Sequence, residues 1–173
     1  MPNKHIFMKR LSTLKTITDI LFVLAIIPAI FGLPFILMTA IMPERIPFKL
    51  NGDEFTTING AELIITLLVL YLSYALAVYA LYLFKKVLES FKKKRFFDDV
   101  VILSFNQIGK TLLLSWIIGI LPSLYYNLTQ KPIEISLGFS DSLFIAGLGF
   151  FFIVLSDVFL MAKKQKEEND LTI

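Results

Sequence analysis

Three polar side chains lie inside otherwise apolar stretches of the chain, where their position could support chemistry: Asp19, Gln107 and Asp157. An ionisable group in an apolar segment is costly to keep there, so it suggests a proton or substrate pathway. Both aspartates, however, fall near the ends of their segments, where an ion pair is the ordinary role. Lys15 stands one helical turn before Asp19, and Lys110 or Gln107 could meet Asp157. We favour structural pairing over transport or catalysis.

No sequence motif for catalysis or cofactor binding accompanies these residues. The sequence has no glycine-rich phosphate loop, no HExxH pair and no nucleophile elbow. It contains no cysteine, which excludes disulfides and thiolate metal sites, and its single histidine, His5, stands alone in the N-terminal segment. We therefore predict a protein that is not an enzyme and that binds no cofactor and no metal.

A second candidate site is a run of four positive charges flanked by aromatic rings. It consists of Phe91, Lys92, Lys93, Lys94, Arg95, Phe96 and Phe97. The simpler interpretation is that these cations orient the chain in a membrane and attract anionic lipid headgroups, at about 1 kcal/mol per side chain. The alternative is a docking surface for a cytoplasmic protein, with the rings supplying hydrophobic contact. We favour lipid contact and topology, and we expect no direct nucleic-acid binding because the cations flank apolar segments.

The elements that carry these residues are four long apolar stretches. The sequence is 56% hydrophobic with a mean hydropathy of +0.73, which exceeds what a soluble domain of 173 residues needs for its core. About 20 apolar residues suffice to cross a bilayer. We predict a single membrane domain over residues 1–173, with spans at 17–41, 61–84, 106–124 and 142–162, outer loops at 42–60 and 125–141, and a basic cytoplasmic loop at 85–105.

The distribution of positive charge predicts the orientation of these spans. Fourteen of the 17 lysines and arginines lie in the N-terminal segment, in the basic stretch from Lys85 to Lys110 and in the C-terminal segment, and the remaining three lie in the two outer loops. Loops on the cytoplasmic side carry the excess of lysine and arginine. We therefore predict a multi-pass protein with both termini in the cytoplasm.

Small residues at helical spacing in every span predict close helix packing, because lipid gives apolar helices no hydrophobic reason to associate. Examples are Ser73, Ser115 and Gly149. The expected fold is an all-α integral membrane protein, an antiparallel four-helix transmembrane bundle. Pro28 and Pro34 should kink the first span, and neighbouring helices must then satisfy the carbonyls that lose their donors.

The two outer loops add a predicted small extracytoplasmic β cap to this fold. Residues 48–50 and 53–58 flank Asn51-Gly52, the pair of residues that a tight hairpin turn prefers. Residues 133–137 alternate between apolar and polar, as a half-buried strand does. We expect three strands with an apolar face to form a sheet outside the membrane.

Two segments of the chain resemble a known family. The chain resembles domain-of-unknown-function family 2975, small bacterial membrane proteins, over nearly its whole length. Besides the four spans, the resemblance rests on the loop F-K-K-K-R-F-F-D and on Asp157-Val158-Phe159 followed by the ending K-E-E-N-D-L-T-I. Members usually carry a glycine before the phenylalanine of the basic loop, where this chain has Lys94 or Arg95. The resemblance also implies that the ending, which by composition is a disordered tail, is recognised by a partner or by the basic loop.

The resemblance also implies a function, because members are often encoded beside a small helix-turn-helix regulator. It implies a regulatory protein of the bacterial plasma membrane that binds or antagonises a cytoplasmic DNA-binding protein, and it offers no catalytic residues. The alternative is a small transporter or lipid-handling protein. That alternative requires a polar cavity that Asp19, Gln107 or Asp157 faces.

Overall fold

The computed structural model describes residues 3–42, 49–50, 53–54, 60–130 and 139–171. Its helices are α1 (Asn3–Ile41), α2 (Gly60–Lys92), α3 (Asp99–Gln130) and α4 (Phe139–Asp170). Each contains a stretch that is long and apolar enough to cross a membrane, at Ile6–Ile41, Gly60–Lys92, Asp99–Tyr125 and Leu143–Asp170. The protein is therefore a multi-pass membrane protein with four spanning helices, as the sequence predicts.

All four helices continue beyond their predicted spans at one end of the molecule. We call this the basic end, made of residues 3–16, 85–105 and 163–171. Helix α1, with 39 residues, is about 58 Å long at about 1.5 Å per residue, against a hydrocarbon core of about 30 Å. Helix α4 continues to Asp170, so the prediction of a disordered tail was wrong over the described residues. Glu167 in this extension lies 3.6 Å from Lys163, one turn earlier, a pair that supports helix.

The helices pack in chain order. Helix α1 packs on α2, α2 on α3, and α3 on α4. A closed four-helix bundle would also pack α1 broadly against α4, and the described residues show no such interface. The large side chains of α1 instead point outward, with Ile30, Phe31 and Leu37 64–65% exposed. In lipid these side chains lose nothing by facing outward, so no hydrophobic force closes the bundle.

Inside the apolar spans, small residues and hydrogen bonds hold neighbouring helices together. Ser73 of α2 and Ser115 of α3 each donate a hydrogen bond to the other's backbone carbonyl, at 2.8 and 2.9 Å. Helices α3 and α4 cross at Gly109 and Gly149, where a Cβ on Gly109 would lie 2.6 Å from the Gly149 carbonyl oxygen. The predicted packing role of Ser73, Ser115 and Gly149 is therefore confirmed.

Helix α1 is joined to α2 by two tyrosine hydroxyls. Tyr71 donates to the carbonyl oxygen of Ala29 and Tyr74 to that of Ala25, both at 2.7 Å. These carbonyls lie in the stretch that contains Pro28, whose missing N–H removes the donor for the carbonyl four residues earlier. The two prolines leave the carbonyls of Leu24 and Ile30 without donors. The tyrosines of α2 bind the carbonyls of the adjacent residues, Ala25 and Ala29.

The predicted β cap is not supported. The described residues include β1 (Lys49–Leu50) and β2 (Asp53–Glu54), which pair antiparallel with Lys49 opposite Glu54 and Leu50 opposite Asp53. Two strands of two residues are too short to form a sheet with an apolar face. The predicted third strand, at 133–137, lies outside the described residues. The fold class is therefore all-α.

Candidate interaction site at the basic end

The apolar core of the described residues lies where the spans of α2 and α3 meet the basic end. It is formed by α2 and α3, and its buried members include Leu83, Val87, Val101, Phe105 and Ile108. Val101 is completely inaccessible to solvent. Leu83 and Ile108 belong to the predicted spans, whereas Val87, Val101 and Phe105 belong to the predicted cytoplasmic loop, where water would surround the helices and apolar burial would stabilise their association. The core therefore gives the basic end a rigid base.

The turn between α2 and α3 carries the run of basic residues. The Arg95 N–H donates to the Ser90 carbonyl at 3.0 Å, and the Lys94 N–H donates to the Phe91 carbonyl at 2.9 Å. Lys94 has a φ of 59°. This is a Schellman C-cap, in which the left-handed residue is usually glycine. The tight turn is thus made here with Lys94, a residue that carries a side chain.

The start of α3 fixes the other side of the same turn. The Asp98 carbonyl accepts the first helical hydrogen bonds, from the N–H groups of Val101 at 2.9 Å and Ile102 at 3.2 Å. Aspartate is favoured in this position and in the first turn, where negative charge meets the positive end of the helix dipole. Residues 93–98 are therefore held at both ends by helix caps. The side chains of Lys92, Lys93, Lys94 and Arg95 are all exposed.

The three phenylalanines beside these cations pack into an aromatic cluster. The Phe91 ring lies 5.3 Å from Phe96 and 6.0 Å from Phe159 of α4, measured between ring centroids. Phe97 lies 5.9 Å from Phe159, and Phe7 of α1 lies 6.1 Å from Phe96. The cluster thus gathers rings from all parts of the basic end. Phe91, Phe96 and Phe97 contribute to packing, and the cations above them form the outward surface.

An open groove lies between α1 and α4, and the five rings of this cluster form part of its lining. It has a volume of about 820 Å³, and nine of its 14 lining side chains are phenylalanines. Four of the others are leucines, and Arg10 of α1 is the one charged side chain among the described lining residues. The groove was not predicted from the sequence. One sequence feature points to an apolar surface there: the spacing of Phe7, Leu11 and Leu14 places them on one face of α1, ahead of the span.

The candidate polar residues do not form a common site. Asp19 lies 3.1 Å from Lys85 of α2, and Lys15 lies 3.3 Å from Glu89 of α2. The predicted pair between Lys15 and Asp19 was therefore wrong, because both side chains reach across to the neighbouring helix. The Lys85 ammonium also lies 5.2 Å from the centre of an α1 aromatic ring. Asp19 is thus part of the α1–α2 attachment.

Gln107 and Asp157 are both exposed. Among the described residues no hydrogen bond or ion pair joins Asp157 to Gln107 or Lys110. Helices α3 and α4 are instead joined beside Asp157 by Ser156, whose hydroxyl donates to the Ile102 carbonyl at 2.8 Å. A second link, between Lys163 and Asp99, is 2.7 Å long. Nor do the described residues contain a group of three or more metal-ligating side chains placed to hold an ion.

These features define a four-span membrane protein with a rigid, basic and aromatic-rich end. Comparison with known families identifies the chain further: the family model described as "Protein of unknown function (DUF2975)" matches residues 9–173. The chain belongs to this family, which confirms the resemblance seen in the sequence. Searches of curated proteins and of solved structures gave no match.

Proposed function

We propose that this protein is a regulatory protein of the bacterial plasma membrane whose basic end faces the cytoplasm. There it binds a cytoplasmic DNA-binding regulator of the helix-turn-helix type and keeps it from its DNA. The observation that carries the proposal is the exposed basic turn, Lys92–Arg95, held at both ends by helix caps. The excess of positive charge at this end supports the cytoplasmic orientation.

The physical argument is preorganisation. Binding usually has to order long side chains and flexible loops, and each ordered group lowers the affinity. In this turn the backbone is already closed by the Schellman hydrogen bonds, and the aromatic cluster supports it from below. Four adjacent cations on such a base suit a partner with an acidic surface, because complementary charge speeds association and selects the partner.

A transporter receives less support from the described residues. Proton-coupled transport needs ionisable groups gathered around a cavity inside the membrane. Asp19 is paired with Lys85, whereas Asp157 and Gln107 are exposed and make no contact with each other. The large groove is lined almost wholly by apolar side chains, which is unsuitable for an ion or a polar substrate.

The first experiment tests orientation. The chain contains no cysteine, so a single Lys93→Cys variant and a single Gly52→Cys variant each carry one reactive thiol. A membrane-impermeant maleimide applied to intact cells should label Gly52→Cys and leave Lys93→Cys unlabelled until the cells are opened. The reverse labelling pattern would place the basic turn outside the cell and would remove the basis of the proposal.

The second experiment tests the partner. The Lys92→Gln/Lys93→Gln variant should lose a DNA-binding protein that the unmodified protein captures from solubilised host membranes. The matched control is Lys164→Gln/Lys166→Gln, which removes two exposed charges from the same end of the molecule. The purified partner should then bind its DNA less tightly when the unmodified protein is added. No DNA-binding protein in the capture, or equal capture by both variants, would contradict the proposal.

A further inference from the structure

By the predicted spans, the groove between α1 and α4 extends from inside the membrane to its surface: its lining includes residues of the fourth span and residues ahead of the first. On α4 its lining begins at Phe151, 12 residues before Lys163, the first cation of that helix. At about 1.5 Å per residue this is about 18 Å along the helix. On α1 the lining runs from Phe7 to Leu14, ahead of the apolar span. A molecule that fills the groove must therefore be apolar along one part and reach the membrane surface with the other.

The groove is open to the outside of the molecule, and part of its lining belongs to predicted membrane spans. Helix α1 packs on α2, and α4 packs on α3, so the first and last helices form two walls with space between them. Molecules of the surrounding leaflet can enter this space without leaving the membrane. A segment of a soluble protein would instead have to insert into hydrocarbon next to Phe151, with every backbone polar group satisfied internally.

The chemistry of the lining matches one class of molecule. Its phenylalanines and leucines suit acyl chains, and its volume of about 820 Å³ lies within the range of about 300–1,000 Å³ that small-molecule sites occupy. Arg10 is exposed and is the one charged side chain of the described lining. A guanidinium binds phosphate oxygens through two parallel hydrogen bonds. The exposed cations Lys92–Arg95, on the turn next to the groove, add attraction for an anion.

We infer that this groove is a binding site for one anionic phospholipid of the leaflet at the basic end. The acyl chains lie along the phenylalanine lining, and the headgroup phosphate binds Arg10. The inference does not rest on the proposed function, because a lipid can fill the groove without a DNA-binding protein, but the two share the basic turn, whose Phe91, Phe96 and Phe97 also line the groove. The anionic headgroup distinguishes it from the general contact that every span makes with lipid.

The test uses the full chain in nanodiscs made of three parts phosphatidylcholine and one part phosphatidylglycerol. After release into mild detergent, native mass spectrometry counts the lipids that each protein molecule retains. We expect one retained phosphatidylglycerol and no comparable retention of phosphatidylcholine. Arg10→Gln should lower the retention about fivefold, which corresponds to about 1 kcal/mol for one cation at an anionic headgroup. Lys9→Gln, which removes a charge from the adjacent residue outside the groove lining, should leave retention unchanged.

A second pair of variants tests the apolar part. Phe7 lines the groove and Ile6 does not, yet both are 49% exposed. Phe7→Ser should therefore lower phosphatidylglycerol retention, and Ile6→Ser should not; because the Phe7 ring also packs near Phe96, retention is compared at a temperature at which both variants are fully folded in detergent. Millimolar glycerol phosphate should not displace the lipid, because a site for a free phosphate would not need the acyl chains.

Three results would overturn the inference. One is equal retention of both lipids, which indicates general lipid contact. Another is an equal loss of phosphatidylglycerol retention in Lys9→Gln and Arg10→Gln, which would indicate that the lipid is attracted by surface charge and not by a specific site. The third is displacement of the lipid by an acidic amphipathic peptide at micromolar concentration, which would assign the groove to a protein segment instead.

Discussion

The crossing of α3 and α4 at Gly109 and Gly149 provides the sharpest test of how this membrane protein is held together. A Cβ added at Gly109 would lie 2.5 Å from Cγ1 of Ile153, 2.6 Å from the Gly149 carbonyl oxygen and 2.9 Å from the Ile153 nitrogen. Ordinary contacts between carbon atoms are about 3.5–4.0 Å. Two of these three obstacles are backbone atoms, so Gly109→Ala must push the helices apart by about 1 Å.

Two other glycines on α4 provide matched comparisons. A Cβ on Gly147 would meet nothing within 4 Å. A Cβ on Gly149 would meet mainly the Leu113 side chain, at 2.8 and 3.0 Å, and the Gly109 carbonyl oxygen at 3.1 Å. A side chain can rotate away more cheaply than a backbone can move. All three alanine variants gain the same helix propensity, so the difference between them isolates the steric cost.

We expect Gly109→Ala to be less stable than Gly147→Ala by about 1–3 kcal/mol, the usual cost of overpacking a well-packed interface. Gly149→Ala should fall between them. The assay is reversible unfolding in mixed micelles with a rising fraction of dodecyl sulfate, followed by the fluorescence of Trp116, the single tryptophan. Equal stability of Gly109→Ala and Gly147→Ala would show that the helices separate at no cost, and the reasoning about backbone contact would then fail.

Two further predictions concern single contacts and use the same unfolding assay. Lys94→Gly should stabilise the protein by about 1 kcal/mol, because glycine adopts the left-handed conformation at φ 59° without the steric cost that a side chain has there. The control for loss of charge is Lys92→Gly, in the last turn of α2, which should destabilise the protein. A loss of stability in both variants would contradict the C-cap at Lys94. A double-mutant cycle with Ser73→Ala and Ser115→Ala should give a coupling energy of about 0.6 kcal/mol, the average for interhelical hydrogen bonds in membranes; strictly additive effects would show that the reciprocal hydrogen bonds do not form in the membrane.

The number and type of helices could be predicted from the sequence, because hydropathy alone decides what crosses a bilayer. Their ends could not be predicted as well. Composition places Lys163–Asp170 in a solvated tail, yet α4 continues through it, with Lys163 paired to Asp99 on α3. The start of α3 at Asp99, ahead of the predicted span 106–124, is different, because the two aspartates at 98 and 99 favour a helix N-terminus there; the packing of Val101 and Phe105 against α2 could not be predicted. These contacts depend on which helices are neighbours.

The polar pairs and the groove could not be predicted either, because they too depend on which helices are neighbours. Lys15 and Asp19 are spaced for a pair within one helix, and only the rotation of α1 against α2 directs them to Glu89 and Lys85. The family resemblance argued against a tight turn in the basic loop, because Lys94 or Arg95 stands where members usually have glycine, and a lysine with positive φ is uncommon. The groove exists because α1 and α4 are separated, and no pattern of neighbouring residues in the sequence predicts the distance between two helices.

The sequential packing of the four helices has a consequence for how the protein is made. Helices that associate mainly with their neighbours in the chain have a low contact order, so few long loops must close before native contacts form. Each helix can pack on the preceding helix as soon as it enters the bilayer, so contacts between helices can form in order from the N-terminus during synthesis. In this order the tyrosine hydroxyls of α2 would meet α1 already in place, and the glycine crossing between α3 and α4 would form last. Sequential packing thus predicts that the helices assemble in their chain order.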